Sequence, residues 1–339
     1  SGPFSFLGTS GRNGALMAIE EINAQGGVNG RPVELVVRNL EHNQATAHNA
    51  INELASEDVA GIIGPMTSEM SSLVVEAANS TKTVVLSPTS STEQLSGQDD
   101  YFFRIYPGAD EGSIKIAHYA YHDRGLKSFA VVYDMTNDAF SLSWLASFTR
   151  DYTVLGGNIS TQVPFESLNP KVSYLSLAER VRDADIQGLL ILANPYSTAM
   201  LCQNLSKVGM SDLPTYVTEW SFGPELIQYG GRQIDNLMLF KTVLDDTQNN
   251  AFFANYQKRY GAAPWFSSTH SYDATRLLLT ALQQNNDQSQ LKETLQHLGS
   301  FQGVQTDFSL DNFGDVIRPH YVVHFKEGRQ RLIAQLDSH

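Results

Sequence analysis

The segment Ala18-Ile-Glu-Glu-Ile-Asn-Ala-Gln-Gly-Gly-Val-Asn-Gly-Arg-Pro-Val-Glu-Leu-Val-Val-Arg38 predicts a helix end, a turn and a strand in immediate succession. Apolar residues at positions 15, 16, 19 and 22 form one face of a helix. Gly26 and Gly27 supply the positive-φ positions that end a helix at low cost. Asn29-Gly30 then predicts a turn, and the β-branched content of residues 32–38 predicts a strand.

Composition indicates a soluble globular protein large enough for two domains, since 42% of its 339 residues are hydrophobic and 17% are charged. The net charge of −13, from 23 basic and 36 acidic residues, argues against nucleic acid as a partner and against docking on anionic lipid. No apolar run is long enough to cross a bilayer, and no signal peptide is evident.

The single cysteine, Cys202, excludes an intramolecular disulfide. Its apolar helical neighbours, Met200, Leu201 and Leu205, predict a buried structural thiol in preference to a nucleophile. Extracellular animal receptors of this size usually carry disulfides, so a bacterial origin is favoured.

Short apolar runs alternate with helical patterns along most of the chain. The runs that predict strands are 59–63, 83–86, 128–133, 187–192, 236–240, 318–325 and 330–334. Helices are predicted near 44–57, 69–79, 109–123, 139–153, 173–184, 196–209 and 247–260. This alternation predicts an α/β fold of parallel sheets with right-handed crossovers. The number of strand–helix units exceeds one comfortable sheet, so we expect two lobes.

Enzyme signatures are weak in this sequence. It has no phosphate-binding loop with a lysine, no dinucleotide-binding glycine pattern and no nucleophile elbow. His118 and His122 stand four residues apart on a predicted helix, with Asp123 beside them. A metal site there would need a third ligand from elsewhere, and a solvated helix face is the preferred interpretation. We therefore expect no metal, no cofactor and no catalysis.

Two polar loops follow neighbouring predicted strands, where open α/β sheets bind their ligands. After strand 59–63 comes Gly64-Pro-Met-Thr-Ser-Glu-Met70, in which Ser68 is placed to cap a helix and the helix N-terminus suits a carboxylate. After strand 83–86 comes the hydroxyl-rich Ser87-Pro-Thr-Ser-Ser-Thr92. Each loop alone is explained by ordinary turn chemistry, but the two together favour a binding site.

The segments 13–38, 59–92, 126–145 and 264–325 resemble the type I periplasmic binding proteins of the leucine/isoleucine/valine-binding family. Thr269-His-Ser-Tyr-Asp-Ala274 and the segment Asp307–Asp315 are part of this resemblance. It implies two doubly wound parallel-sheet lobes joined by a three-stranded hinge. Lobe 1 is expected to comprise residues 1–107 and 246–317, and lobe 2 residues 108–245 and 318–339. Chain crossings are expected near Phe103–Pro107, Thr242–Asp246 and Thr306–Asp315.

The resemblance also implies site residues. In the family, the loop matching 64–69 binds the α-carboxylate of an amino acid through its serine, here Ser68 beside Thr67. The loop matching 88–91 supplies a backbone carbonyl, here of Thr89, and a hydroxyl, here of Ser91. An acidic residue of the second lobe pairs with the α-ammonium, and it aligns with Glu219. A solvated loop carboxylate is the alternative for Glu219.

Two positions depart from the family pattern. A frequent tyrosine is replaced by Asp138, which either adds a carboxylate for an amino-bearing ligand or, like Asn137, caps a helix. A second aromatic is displaced from Asn194 to Tyr196. The expected lining of the side-chain pocket is apolar and comprises Leu7 and Met66 of lobe 1, with Trp220 and either Phe140 or Tyr196 of lobe 2. It favours an aliphatic or aromatic amino acid over a sugar or a dicarboxylate.

The resemblance implies a non-catalytic, Venus-flytrap type of ligand receptor at the periplasmic or extracellular face of a bacterial membrane. It fits the solute-binding component of an ABC importer, with a membrane permease as partner. It also fits the sensing ectodomain of a membrane-embedded kinase, cyclase or chemoreceptor. An enzyme on a flavodoxin-like or sugar-isomerase-like fold is the less favoured alternative. The family fold begins with a strand before the Gly-Pro turn, and we expect residues ahead of Ser1 to supply it. The alternative is a true deletion, which would leave lobe 1 unstable or filled by another segment.

Overall fold

Helices and strands alternate along most of the chain, as the sequence predicts. The structure is a computed structural model that describes residues 4–244, 250–327 and 329–336. Unit 1 comprises the described residues of 1–108 and 245–318, and unit 2 comprises those of 109–244 and 319–339.

The helices are α1 (Ser5–Ala24), α2 (Gln44–Ser56), α3 (Ser68–Thr81), α4 (Ala109–His118), α5 (Asp138–Val154), α6 (Tyr174–Arg182), α7 (Pro195–Lys207), α8 (Pro224–Gly230), α9 (Ala251–Tyr260), α10 (Phe266–Gln284) and α11 (Leu291–Gln296). The strands are β1 (Ile62–Ile63), β2 (Val85–Ser87), β3 (Phe102–Arg104), β4 (Ser128–Asp134), β5 (Asn158–Phe165), β6 (Gly188–Leu192), β7 (Thr215–Thr218), β8 (Leu237–Lys241), β9 (Phe301–Gln302), β10 (Asp307–Leu310), β11 (Val316–Ile317), β12 (His320–Lys326) and β13 (Arg329–Leu336).

The central sheet of unit 1 is parallel, in the order β1-β2-β3. Side chains alternate between the two faces of a strand, and both faces are covered here by helices. Leu86 and Phe103 pack in a core with residues of α1 and α10. Their neighbours Val85 and Phe102 pack in a second core with residues of α2 and α3. The sheet is therefore doubly wound, and α1 and α10 share one of its faces.

The backbones of helices α1 and α10 are in close contact at Gly14 of α1. A Cβ atom built on Gly14 would lie 2.0 Å from the backbone oxygen of Ser268 in α10. Alanine therefore does not fit at this crossing unless the two backbones move apart.

The prediction of a strand over residues 32–38 is wrong, because the structure has neither strand nor helix from residue 32 to 40. The β-branched residues do favour an extended backbone. A strand forms, however, only when a neighbouring strand exchanges backbone hydrogen bonds with it. In the described part of unit 1, β1 pairs with β2 alone and no strand pairs with residues 32–40.

Unit 2 contains a larger sheet, in the order β13-β12-β8-β7-β6-β4-β5. The five strands β4 to β8 run parallel, and the antiparallel pair β12 and β13 extends one edge. Strands β6, β7 and β8 are buried at every residue, which explains the near-continuous apolar runs of β6 and β8. The predictions of strands at 128–133, 187–192 and 236–240 are confirmed to within one residue at each end.

Other boundaries differ from prediction. The strand predicted at 59–63 contains only Ile62 and Ile63. The helix predicted at 109–123 ends at His118 and continues as one wider π turn over Tyr119–Asp123. Part of the predicted crossing at 242–246, the first residues of the predicted helix 247–260, and the expected strand ahead of Ser1 lie outside the described residues.

The thiol of Cys202 lies buried in α7, as its apolar neighbours predict. Burial raises the pKa of Cys202 to about 12, because the thiolate would be poorly solvated there. A neutral, inert thiol follows at physiological pH.

Asp273 of α10 makes the stability of unit 1 depend on pH. Burial raises the pKa of its carboxyl from 3.8 to about 6, although the backbone N–H of Val304 donates to both of its oxygens at 3.0 and 3.2 Å. Between these pKa values the folded chain holds a proton that the unfolded chain has lost. Stability therefore falls as pH rises through this window.

We expect Asp273→Asn to remove this dependence, because the amide oxygen keeps an acceptor for Val304 and carries no charge. The variant should gain up to about 3 kcal/mol over the parent between pH 4 and pH 7. Urea unfolding at both pH values measures this difference. If the two proteins differ in free energy of unfolding by the same amount at pH 4 and pH 7, the carboxyl of Asp273 ionises with its ordinary pKa.

Candidate functional site

The first candidate loop of unit 1 connects β1 to α3. Thr67 is the N-cap residue of α3, because its hydroxyl accepts a hydrogen bond from the N–H of Met70 at 3.3 Å. The prediction that Ser68 caps this helix is therefore wrong. Ser68 is the first helical residue, and its buried hydroxyl accepts from the N–H of Ser91 at 3.1 Å. Capping by Thr67 leaves the side chain of Ser68 available to the neighbouring loop.

The second loop follows β2, and its side chains bind it to the first. The hydroxyl of Ser87 donates to the carbonyl of Pro65 at 2.7 Å, and that of Thr89 donates to the carbonyl of Met66 at 2.6 Å. With the bond from Ser91 to Ser68, three hydrogen bonds connect the loops. Four predicted site residues, at positions 66, 68, 89 and 91, are thus brought together in unit 1.

Ser91 provides a buried donor at this junction and is one of several serines whose hydroxyl has no partner among the described residues. Its side chain is fully buried, and its hydroxyl has no hydrogen-bond partner among the described residues. An unsatisfied buried hydroxyl costs about 1–3 kcal/mol, so such groups are uncommon without a reason. The first N–H groups of α3 have no acceptor within the helix. A hydroxyl donor beside a helix N-terminus is suited to an anionic oxygen ligand.

Arg104 at the end of β3 supports this junction, and the sequence analysis did not identify it. Its guanidinium donates to the carbonyl of Thr92 at 2.9 Å, to the hydroxyl of Ser96 at 2.6 Å and to the carboxylate of Asp315 at 2.6 Å. The side chain is buried, and the three bonds fix the end of the serine-rich loop. A basic residue within the apolar run Phe102–Tyr106 was the available signal.

The main acidic candidate of unit 2, Glu219, follows strand β7. Its side chain is fully buried, so the alternative of a solvated loop carboxylate is wrong. One carboxylate oxygen accepts hydrogen bonds from the N–H of Thr242 at 3.0 Å and from its hydroxyl at 2.7 Å. A buried carboxylate attracts a cation much more strongly than a surface carboxylate, because the surroundings screen its charge less.

Two predicted aromatic residues lie together in unit 2. The rings of Phe140 and Trp220 meet edge to face with centroids 4.8 Å apart, and both are buried. Trp220 follows Glu219 directly, so the carboxylate and an apolar surface share one short segment.

The three remaining candidates of unit 2 lie at a helix cap or at the protein surface. Asn194 caps α7 by accepting from the N–H of Ser197 at 2.9 Å, and its amide donates to the buried carboxylate of Asp134 at 3.3 Å. Tyr196 is 45% exposed. Asp138 is exposed in the first turn of α5, where Asn137 occupies the N-cap position. The structure thus gives Asn194 a structural role and leaves Asp138 and Tyr196 at the surface.

The apolar candidates of unit 1 belong to helix α1 and to the first loop. Leu7 is buried near the start of α1. The half-buried side chain of Met66 crosses Gly11 of the same helix, where its methyl group would lie 2.7 Å from a Cβ atom. Met66 therefore needs the absence of a side chain at position 11.

The alternative metal site, at His118 and His122, would need a third ligand from elsewhere in the chain. The rings of His118 and His122 are 5.5 Å apart. Across residues 4–244, 250–327 and 329–336, no three histidine, cysteine, aspartate or glutamate side chains group as metal ligands. In the same ranges, every helix is too short or too polar to span a membrane.

The sheet order, the two units and the polar loops at strand ends define the class of type I periplasmic binding protein folds. The family model described as periplasmic binding protein matches residues 1–330, and the chain belongs to that family. The predicted resemblance to its leucine/isoleucine/valine-binding members is confirmed.

Individual relatives are distant in sequence and close in fold. The Leu/Ile/Val-binding protein homolog 1 of Brucella melitensis is 21% identical over 96% of this chain and 87% of its own length. The leucine binding protein LivK of Thermotoga maritima superposes with a TM-score of 0.88 at 24% identity, covering 99% of this chain and 96% of that one. The branched-chain amino acid transporter substrate binding protein LivJ of Streptococcus pneumoniae, in complex with isoleucine, has a TM-score of 0.87 at 21% identity with the same coverage.

Proposed function

We propose that the chain binds a small amino acid with an aliphatic or aromatic side chain and catalyses no reaction. Unit 1 would bind the α-carboxylate, and unit 2 would bind the α-ammonium and the side chain. Closure of the two lobes about a hinge would then shift the population toward the bound form.

The buried hydroxyl of Ser91 is the observation that carries this proposal. A ligand carboxylate would accept its hydrogen bond and remove the cost of an unsatisfied buried donor. Hydrogen bonds to a charged acceptor are also the stronger kind. The nearby N-terminus of α3 adds a favourable dipole for the same negative charge.

The buried carboxylate of Glu219 supports an ammonium group at the other end of the ligand. A cation there would offset part of the cost of burying the negative charge, and Thr242 already donates two hydrogen bonds to it. The apolar pair of Phe140 and Trp220 supports an apolar ligand side chain and disfavours a sugar or a second carboxylate.

The names of the relatives favour transport over sensing. They describe Leu/Ile/Val-binding and branched-chain amino acid transporter proteins. We therefore propose that the chain is the solute-binding component of an ABC importer, that its partner is a membrane permease, and that it works at the periplasmic or extracellular face of the bacterial membrane.

A thermal-shift screen against the twenty amino acids, short-chain acids and sugars tests the ligand class. A ligand present at about 100 times its dissociation constant adds about 2.7 kcal/mol of stability. We expect aliphatic or aromatic amino acids to raise the melting temperature. If only sugars or simple acids do so, the amino acid proposal is wrong.

The variant Ser91→Ala tests the position of the carboxylate. We expect it to weaken binding of the amino acid by about 10- to 100-fold, because one charge-assisted hydrogen bond to the carboxylate is lost. Ser267→Ala in α10 is the matched control, since that hydroxyl is also buried without a partner among the described residues. Calorimetric titration measures both affinities, and equal affinities would place the carboxylate elsewhere.

A further inference from the structure

Strand β13 forms one edge of the sheet of unit 2 and pairs with β12 alone among the described residues. Alternate residues of such a strand direct their N–H and carbonyl groups away from the single partner. The ladder with β12 is regular from residue 329 to 332, and Ile333 beyond it is the extra residue of a bulge. Residues 329–332 therefore present an open backbone edge, which can template a further strand.

One face of the β12–β13 pair carries basic side chains. His324 lies opposite Arg331 in the ladder. Lys326 lies opposite Arg329, and because side chains alternate, all four stand on the same face. Burial lowers the pKa of His324, and nearby positive charges lower it further. These charges belong to Lys326, Arg124 and Arg331, so Arg124 joins the other four in what we call the basic face.

The basic face has no ion pair in the part of the chain that the structure describes. Lys326 and Arg329 are like charges at opposite positions of a ladder, an arrangement that is destabilising. One carboxylate nearby, that of Asp235, raises the pKa of His324 against the other charges and accepts a hydrogen bond from the N–H of Glu327 at 2.8 Å. The chain as a whole is strongly acidic, with a net charge of −13. A local positive surface without ion pairs is suited to an anionic partner.

The basic face and Glu219 lie at opposite ends of the sheet of unit 2. His324 pairs with Met238, near the start of β8. Glu219 follows the end of β7, which runs parallel to β8. A partner on the basic face would therefore be bound apart from the candidate ligand residues of unit 2.

We propose that β13 binds an extended acidic segment of a protein partner, which adds a strand to the sheet and places carboxylates beside Arg329 and Arg331. Strand addition gives affinity through backbone hydrogen bonds and specificity through alternate side chains. Every second residue of the added strand would stand on the basic face and be acidic. The residues between them would stand beside Leu332, which is 52% exposed on the other face, and would be apolar.

An acidic strand satisfies both the open edge and the positive charge, whereas other occupants satisfy one of them. A second copy of the chain offers β13 itself, but Arg329–Leu336 contains two arginines and no acidic residue. Pairing of two such strands would bring positive charges together. An anionic lipid surface offers charge but no strand, and the net charge of −13 opposes its approach.

Two designed peptides, acetylated and amidated, test the strand site on the full chain. Thr-Glu-Val-Glu-Val-Glu-Thr alternates acidic and apolar residues, and Thr-Glu-Glu-Glu-Val-Val-Thr has the same composition and charge without alternation. We expect the alternating peptide to bind and, at saturation, to slow amide exchange over residues 329–332 by about tenfold. It should also raise the pKa of His324, because its carboxylates offset the neighbouring cations. The second peptide should bind about tenfold more weakly, since its carboxylates point to both faces.

Charge reversal on β13 tests the role of the two arginines. We expect Arg329→Glu combined with Arg331→Glu to weaken binding of the alternating acidic peptide by about tenfold or more and to bind Thr-Lys-Val-Lys-Val-Lys-Thr instead. Arg182→Glu combined with Lys207→Glu is the matched control, with the same change of charge at exposed positions in the last turns of α6 and α7. It should bind the acidic peptide as the parent does. If the reversed variant fails to fold, Arg331→Gln provides a second measurement, with an expected loss of about threefold.

Several outcomes would overturn the strand site. One is no binding of the alternating peptide, and another is equal binding of both acidic peptides, because charge alone would then suffice. Binding without slower exchange over residues 329–332 would place the peptide elsewhere. Binding to vesicles of phosphatidylglycerol and phosphatidylcholine, in place of the peptide, would assign the basic face to a lipid surface. Dimerisation in sedimentation, with exchange over residues 329–332 slowed in the absence of peptide, would assign the edge to a second copy.

Discussion

Replacing Gly14 by alanine is expected to destabilise unit 1 by about 3 kcal/mol or more. The added methyl group would lie 2.0 Å from the carbonyl oxygen of Ser268, and a backbone atom cannot rotate away as a side chain does. Helices α1 and α10 would have to separate, which would also disturb the core that both share with β2 and β3. Thermal unfolding should show a decrease of roughly 6–12 °C in the melting temperature.

Gly8→Ala is the matched control for this prediction. It lies on the same helix, and a Cβ atom there would have no neighbour within 4 Å. Alanine is a better helix former than glycine by about 1 kcal/mol, so this variant should be as stable as the parent or more stable. Similar losses in both variants would mean that the close approach of the two helices does not determine stability.

Replacing Glu219 by glutamine is expected to weaken binding of the amino acid by about 100-fold or more. The amide oxygen still accepts the two hydrogen bonds from Thr242, so the local fold should persist. The negative charge is lost, and truncating one member of a buried charge pair costs about 2–5 kcal/mol. Calorimetric titration gives the affinity, and the melting temperature without ligand shows whether the fold is intact.

Asp212→Asn provides the same change of charge at the opposite end of β7, where the carboxylate is exposed. It should leave the affinity unchanged, since exposed charges act weakly over such distances. If Glu219→Gln binds the ligand as well as Asp212→Asn does, the ammonium lies elsewhere. In that case the buried carboxylate has a purely structural role.

The strands that the sequence predicts well are those whose environment is uniform. Residues 188–192 are apolar throughout because helices cover both faces of their sheet, and this pattern is visible without any structure. Residues 32–38 have the same local preference and form no strand, because pairing depends on a neighbour that local sequence does not describe. Local preference thus predicts a strand only where a partner strand is available.

Some features of the candidate site can be predicted from local sequence, and others depend on the packed fold. The two hydroxyl-rich loops could be found from their place after apolar runs, since strand ends are where such sheets bind ligands. The choice between Thr67 and Ser68 as helix cap depends on one residue of register, which composition does not specify. The contact of Glu219 with Thr242 spans 23 residues, and that of Arg104 with Asp315 spans 211. Such contacts depend on the packed fold.

The hydrogen bonds between the loops at 64–70 and 87–92 have a consequence for protein engineering. Because the carbonyls of Pro65 and Met66 accept hydrogen bonds from the second loop and Arg104 anchors its end, we expect neither loop to keep its geometry when transplanted alone. A graft into another scaffold would have to carry both loops and the arginine as one cassette. If the proposed function holds, we expect specificity for the ligand side chain to change with substitutions at Phe140 and Trp220, which lie outside that cassette.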